Sequence, residues 1–161
     1  MGKAFTITDS AANVIEYVEA KKTLARQVLA DRIDLVNGMM ADRVRSNLSG
    51  DVLNAVSSKL MGTVRQIPTR FLGSSIIAGS VTAGGAEAPY GIYFEEGGTH
   101  SYKILPIHGK VLAFMVEGQK VFARAVTHPP TPFKPWFGPA AEEFQAYMAQ
   151  QLQAAMAEVA K

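Results

Sequence analysis

A chain of 161 residues that is 48% hydrophobic has material for one ordinary core and too little for two comfortable domains. Lys and Arg total 16 against 14 Asp and Glu, so the formal net charge of +2 gives no global excess that points to nucleic acid or an anionic membrane. With 0 cysteines there are no disulfides and no thiolate metal sites.

The start, MGKAFTITDS, lacks the apolar core of a signal peptide, and no run reaches the roughly 18 apolar residues of a membrane span. A soluble protein made in the cytoplasm is the expectation. From about 9 to 48 the apolar residues recur at helical spacing. Leu29, Ile33, Val36, Met40, Val44 and Leu48 form one stripe, widened by Leu24, Val28, Leu35 and Met39. Asp9 or Ser10 can cap the start, and Asn-Leu-Ser-Gly at 47–50 supplies a stop. A continuous helix of that span is about 60 Å long at about 1.5 Å per residue. That exceeds what the domain needs, so it either breaks near Lys21 to Thr23 or projects.

After a short mixed segment containing Ser57 and Ser58, Thr63–Ile67 and Ser74–Thr82 read as strands, with Pro68 and Gly73 bracketing their connection. Gly84 and Gly85 mark a loop. Tyr102–Pro106, Val111–Val116 and Lys120–Val126 are further strand candidates, and Glu117-Gly118-Gln119 reads as a hairpin turn. Connections this short cannot hold crossover helices, so the sheet is expected to be antiparallel. Pro139 at a first helical position, followed by Glu142 and Glu143, opens a last helix with Phe144, Met148, Leu152, Ala155, Met156 and Val159 on one stripe. The predicted fold is α+β in a single domain: an N-terminal helix at about 9–48, an antiparallel sheet of four to five strands within about 63–126, and a C-terminal helix at about 139–159.

Templates for chemistry fit poorly. Glu95 and Glu96 are adjacent and diverge on either a strand or a helix, which suits no acid–base pair. His100, His108 and His128 follow no zinc or iron spacing. Gly73-Ser74-Ser75 lacks the second glycine of a nucleophile turn, and Gly97-Gly98-Thr99 is followed by His100 where a phosphate loop needs Lys. The two glycines read as a tight turn at positive φ. No catalytic residue, metal or cofactor is expected.

Charge is unevenly placed: between Gly97 and Pro135, Lys103, Lys110, Lys120, Arg124 and Lys134 face the single acid Glu117, whereas the C-terminal tail carries Glu142, Glu143 and Glu158 against Lys161. Such segregation suits contact between copies or with a polyanion. Tyr90, Tyr93, Phe94, Phe133, Trp136 and Phe137 interleave with these lysines, so an alternative reading of 90–137 is a surface for single-stranded nucleic acid. By spacing, Tyr90, Tyr93 and Phe94 fit packing on the sheet better. Interface candidates are Lys103, Lys110, Lys120, Arg124, His128, Lys134, Trp136, Glu95 and Glu96.

The order of parts resembles the small tail-component family of long-tailed bacteriophages, the neck or tail-completion proteins. The resemblance covers about residues 23–160. It is carried by the long amphipathic helix and by Leu53-Asn54 with Ser57 and Leu60. It continues in Pro89-Tyr90, Tyr93, Glu95 and Gly98-Thr99, then in the runs Ile104–Pro106 and Val111–Phe114. It ends with Val126, His128-Pro129, Pro132-Phe133 and Pro139-Ala140. Pro130, where the family often has glycine, a longer path to Pro139-Ala140 and the extra residue in Glu95–Gly98 are departures, which give the His128–Trp136 loop its own geometry. The resemblance implies a non-enzymatic virion protein of tail completion or head–tail joining, in a ring of about six copies. Its implied partners are itself, neighbouring head-closure or adaptor proteins, and tail-tube or tail-terminator proteins, with passing contact to DNA in the lumen and none to membrane. The tail-completion, head-closure and tail-terminator roles are left open by the residues.

Overall fold

A computed structural model describes residues 8–53 and 59–160. In chain order they form α1 (Thr8–Ser46), a π-helical turn (Asn47–Asp51), α2 (Lys59–Gly62), β1 (Arg65–Leu72), β2 (Ile76–Thr82), α3 (Gly91–Glu95), β3 (Tyr102–Ile104), β4 (Leu112–Val116), β5 (Gln119–Ala123), β6 (Val126–His128) and α4 (Gly138–Val159). The class is α+β with a long N-terminal helix, antiparallel strands and a C-terminal helix, as expected. Asn54, Ser57 and Ser58, and the capping side chains of Asp9 and Ser10, lie outside the described residues.

Helix α1 does not break. Its 39 residues contain no proline, and the polar stretch at Lys21 to Thr23 is tied back to Glu19 by a Lys22 ion pair at 3.3 Å and by Thr23 Oγ1 donating to the Glu19 carbonyl at 2.9 Å. It ends where Gly50 takes φ 141° and the amides of Val52 and Leu53 both turn back to the Asn47 carbonyl. Helix α4 lies antiparallel against it. Arg43 pairs with Glu143 near the start of α4, Arg32 with Glu158 near its end, and Lys21 Nζ donates to the Val159 carbonyl at 3.1 Å. A cation at the last carbonyls of a helix complements its dipole. Beyond Lys21 the first helix has no partner element among the described residues, and residues 12–20 are exposed.

The β1–β2 hairpin packs along the middle of α1. Pro68, expected in the connection, instead lies inside β1, where the register shifts between Ile67 and Arg70. Proline cannot donate to a ladder, so a bulge accommodates it. The following amide of Thr69 is directed to Asp34 Oδ1 on α1 at 2.9 Å, and Thr69 Oγ1 donates to the same oxygen at 2.7 Å. At the hairpin tip Arg26 donates to the carbonyls of Gly73 and Ser74 and stacks over Phe71 at 4.5 Å.

The strands do not join into the single sheet of four to five strands drawn from the sequence. Six strands form three two-stranded antiparallel ribbons, β1–β2, β3–β6 and β4–β5. The loop from Ala83 and helix α3 intervene between the first ribbon and the others, and β3 and β6 pair over only three residues each.

The core sits at the C-terminal end of α1. Val44, Leu48, Leu60, Val64, Ala88, Trp136 and Ala140 meet there, with Tyr90, Phe94 and Val81 of β2 packed against them. Of the predicted α1 stripe, Val36, Val44 and Leu48 are buried, whereas Leu24, Leu35 and Met39 are exposed. Only one flank of α1 is covered, by α4 and β1–β2.

Gly91 stands where the helix backbone of α3 comes against this core. A Cβ there would lie 2.7 Å from Leu60 Cδ1. Leu60→Ala is therefore expected to cost about 2–5 kcal/mol through a cavity, and Gly91→Ala about 1–3 kcal/mol through overpacking, both read from urea unfolding.

Candidate interaction surface

Glu95, the last residue of α3, organises the region. Its Oε2 accepts the amides of Trp136 and Phe137 at 2.8 and 3.0 Å, and its Oε1 accepts the amide of Gly138 at 2.7 Å. These amides open α4, whose early N–H groups have no partner inside the helix. Phe137, the residue preceding α4, makes no side-chain cap of its own. A carboxylate from a distant helix thus does the work of an N-cap and complements the dipole.

Trp136 is locked on three sides. Its indole Nε1 donates to the Gly91 carbonyl at 3.2 Å, its carbonyl accepts from Asn47 Nδ2 at 2.8 Å, and its amide is held by Glu95. At 4% exposure it belongs to the core, as does the side chain of Asn47. Of these two interface candidates Trp136 is thus buried and Glu95 is half-buried. Both are committed to internal bonds.

The loop from His128 to Trp136 is stitched to what precedes it. The amides of Thr99 and Thr131 exchange hydrogen bonds at 3.1 Å, and Lys134 N donates to the Phe94 carbonyl at 3.0 Å. Gly97 and Gly98 make the tight turn expected of them, at φ 118° and 78°. His128 stacks on Tyr102 with ring centroids 4.9 Å apart. Its Nδ1 faces the Pro129 carbonyl at 2.6 Å, and because a carbonyl only accepts, Nδ1 carries the proton. Between α3 and β3–β6 these groups line a cleft of about 550 Å³ formed by Tyr90, Tyr93, Phe94, Tyr102 and His128.

From this braced base the chain extends as β3–β6 and then as the β4–β5 hairpin, which turns at Glu117 and Gly118 with φ 51° and 81°. That is the primed turn geometry suited to a two-residue hairpin. Among the described residues no other element packs substantially on β4–β5. Alternating side chains give it two faces, Leu112, Phe114 and Val121 on one, Met115 and Phe122 on the other. Met115 and Phe122 are 64% and 60% exposed.

Lys103 on β3, Lys110 before β4, Lys120 on β5 and Arg124 after it are all exposed on this arm. None of them forms an ion pair with the described residues. Lys134 and Glu96 are exposed nearby, and His128 is half-buried. The structure thus groups four basic candidates on one arm and leaves Lys134, Glu96 and His128 at its root. Among the described residues no set of three His, Asp or Glu side chains could hold a metal ion, and His100, His108 and His128 do not converge. No described helix is long and apolar enough to cross a membrane.

Sequence reasoning did not find Asn47 as a clamp on Trp136, nor Glu95 as a cap. The buried Asn within a helix-stop motif was the available signal for the first. Comparisons with protein-family models, curated proteins and solved structures found no match to this chain.

The cap assigned to Glu95 is testable by fluorescence of Trp136, the only tryptophan. Glu95→Ala, which strands three amides, is expected to destabilise by about 2 kcal/mol in urea titrations, and Glu95→Gln, which keeps an acceptor oxygen, by about half as much.

Proposed function

We propose that this chain is a non-enzymatic structural protein of the neck or tail of a tailed bacteriophage, working as a ring of about six copies in tail completion or head–tail joining. The observation that carries the reading is the division of the molecule into a braced core end and uncovered apolar projections. Val14, Ile15, Tyr17 and Val18 stand exposed on the free end of α1, and Met115 and Phe122 on the hairpin. Single exposed apolar side chains are ordinary, but contiguous groups of them mark surfaces that other protein covers. The sequence resemblance points the same way, and Glu95 and His128, both weighed for chemistry, are bonded to the chain's own backbone.

The role is that of an assembly part whose partners are further copies, a head-closure or adaptor protein, and a tail-tube or tail-terminator protein. Sedimentation velocity with negative-stain imaging of the purified chain is expected to find a ring-shaped oligomer. A monomer at every accessible concentration would contradict this.

The basic arm favours a subsidiary contact with DNA in the lumen of such a ring, because Lys103, Lys110 and Arg124 have no acidic partner among the described residues. Binding to DNA by about three phosphate contacts is expected to weaken about fortyfold between about 50 and about 200 mM salt. No binding at low ionic strength would remove this contact and leave the ring standing.

A further inference from the structure

We infer that the ring is closed by the free end of α1 from one copy lying across the Met115–Phe122 face of the β4–β5 hairpin of the next. The inference rests on the ring reading. Both surfaces are apolar and uncovered: Val14, Ile15 and Val18 are 60%, 65% and 54% exposed, and Met115 and Phe122 are as open. Val14 and Val18 are one helical turn apart and Ile15 lies beside them, so the three make a stripe of the width that a two-stranded ribbon can receive.

Within one chain the two surfaces do not meet. The hairpin grows from loops braced around Trp136, which packs with Ala41, Val44 and Leu48 of α1. Val14 is about 40 Å along the helix axis from Ala41, at about 1.5 Å per residue. Among the described residues α1 makes no substantial contact with β4–β5, so the helix end and the hairpin are two separate patches of one copy, as a head-to-tail interface requires.

Charge identifies the occupant as a second copy. Residues 12–20 carry Glu16 and Glu19 and no basic side chain, whereas 103–124 carry Lys103, Lys110, Lys120 and Arg124 against Glu117. Glu19 also meets Lys22 at 3.3 Å, an exposed pair that screens weakly, and Lys120 Nζ sits 5.5 Å from the Phe122 ring. An acidic apolar helix against a basic apolar ribbon is complementary in both respects. It also answers a physical need of the hairpin. An isolated two-stranded ribbon is marginal in water and gains stability when a helix packs on it.

The absence of cysteine makes the test direct. Val18→Cys and Phe122→Cys are made in separate chains, both at exposed positions, and mixed with a short bismaleimide, with Val14→Cys as a second helix position. The mixed Val18–Phe122 product is expected in about tenfold excess over either homotypic product, because neighbours in a ring share a high effective concentration. Adding Lys120→Glu to the hairpin chain is expected to lower that yield several-fold, and Glu16→Lys in the helix chain to restore it. If sedimentation still finds the ring but the mixed product does not exceed the homotypic ones, this interface is wrong and the ring is not. If the unmodified chain sediments as a monomer throughout, ring and interface fall together.

Discussion

Glu95 accepts hydrogen bonds from the amides of Trp136, Phe137 and Gly138, and through them fixes where α4 begins relative to α3. Most of the architecture depends on that contact. With Trp136 held, its indole fills the core beside Leu60 and Val44, and its carbonyl secures Asn47 at the end of α1. One side chain thereby joins the end of the first helix, the short third helix and the start of the last. The chain between Glu95 and Trp136 is then a closed excursion with both ends pinned within a few ångströms. It leaves as the Gly97-Gly98 turn, extends as two short ribbons and returns beside its origin through the Thr99–Thr131 bridge.

That closure explains how so slight a structure projects. Among the described residues neither β3–β6 nor β4–β5 has a sheet neighbour, and a lone ribbon of this size holds few side chains out of water. Its root is over-determined by backbone bonds while its tip keeps apolar groups in solvent. The free end of α1 has the same character for a different reason. Helix α4 and the β1–β2 hairpin both stop short of it, at Lys21 and at Arg26. Such a molecule is anchored around Trp136 and uncovered at the arm and at the free end of α1.

The local features were legible in the sequence because their causes are local. The helical period of α1, the start of α4 beside Pro139, the hairpin turn at Glu117-Gly118 and the glycine turn at Gly97-Gly98 follow from periodicity, proline and positive φ, whereas the sequence left open whether α1 breaks near Lys21. What sequence did not show depends on distant partners. Glu95 looked like half of a useless carboxylate pair, and its true partners are some forty residues away. Trp136 was read as an interface candidate, yet it is buried and bonded to Gly91, Asn47 and Glu95. Five of the six described strands overlap runs found in the sequence, but β6 was merged with the run before it, and α3 was visible only as the spacing of Tyr90, Tyr93 and Phe94. Pro68 was read as a breaker. Asp34, on another element, is what lets the strand continue through it.

We propose that assembly completes the arm and the free end of α1, while the core around Trp136 is complete in the single chain. Amide hydrogen exchange on the chain alone and in an assembled ring separates the two. Slow exchange is expected at the amides of Trp136 to Gly138 in both states, with fast exchange in β4–β5 and residues 12–20 of the free chain becoming slow on assembly. A hairpin as protected in the free chain as in the ring, or a helix end that stays unprotected in both, would contradict it.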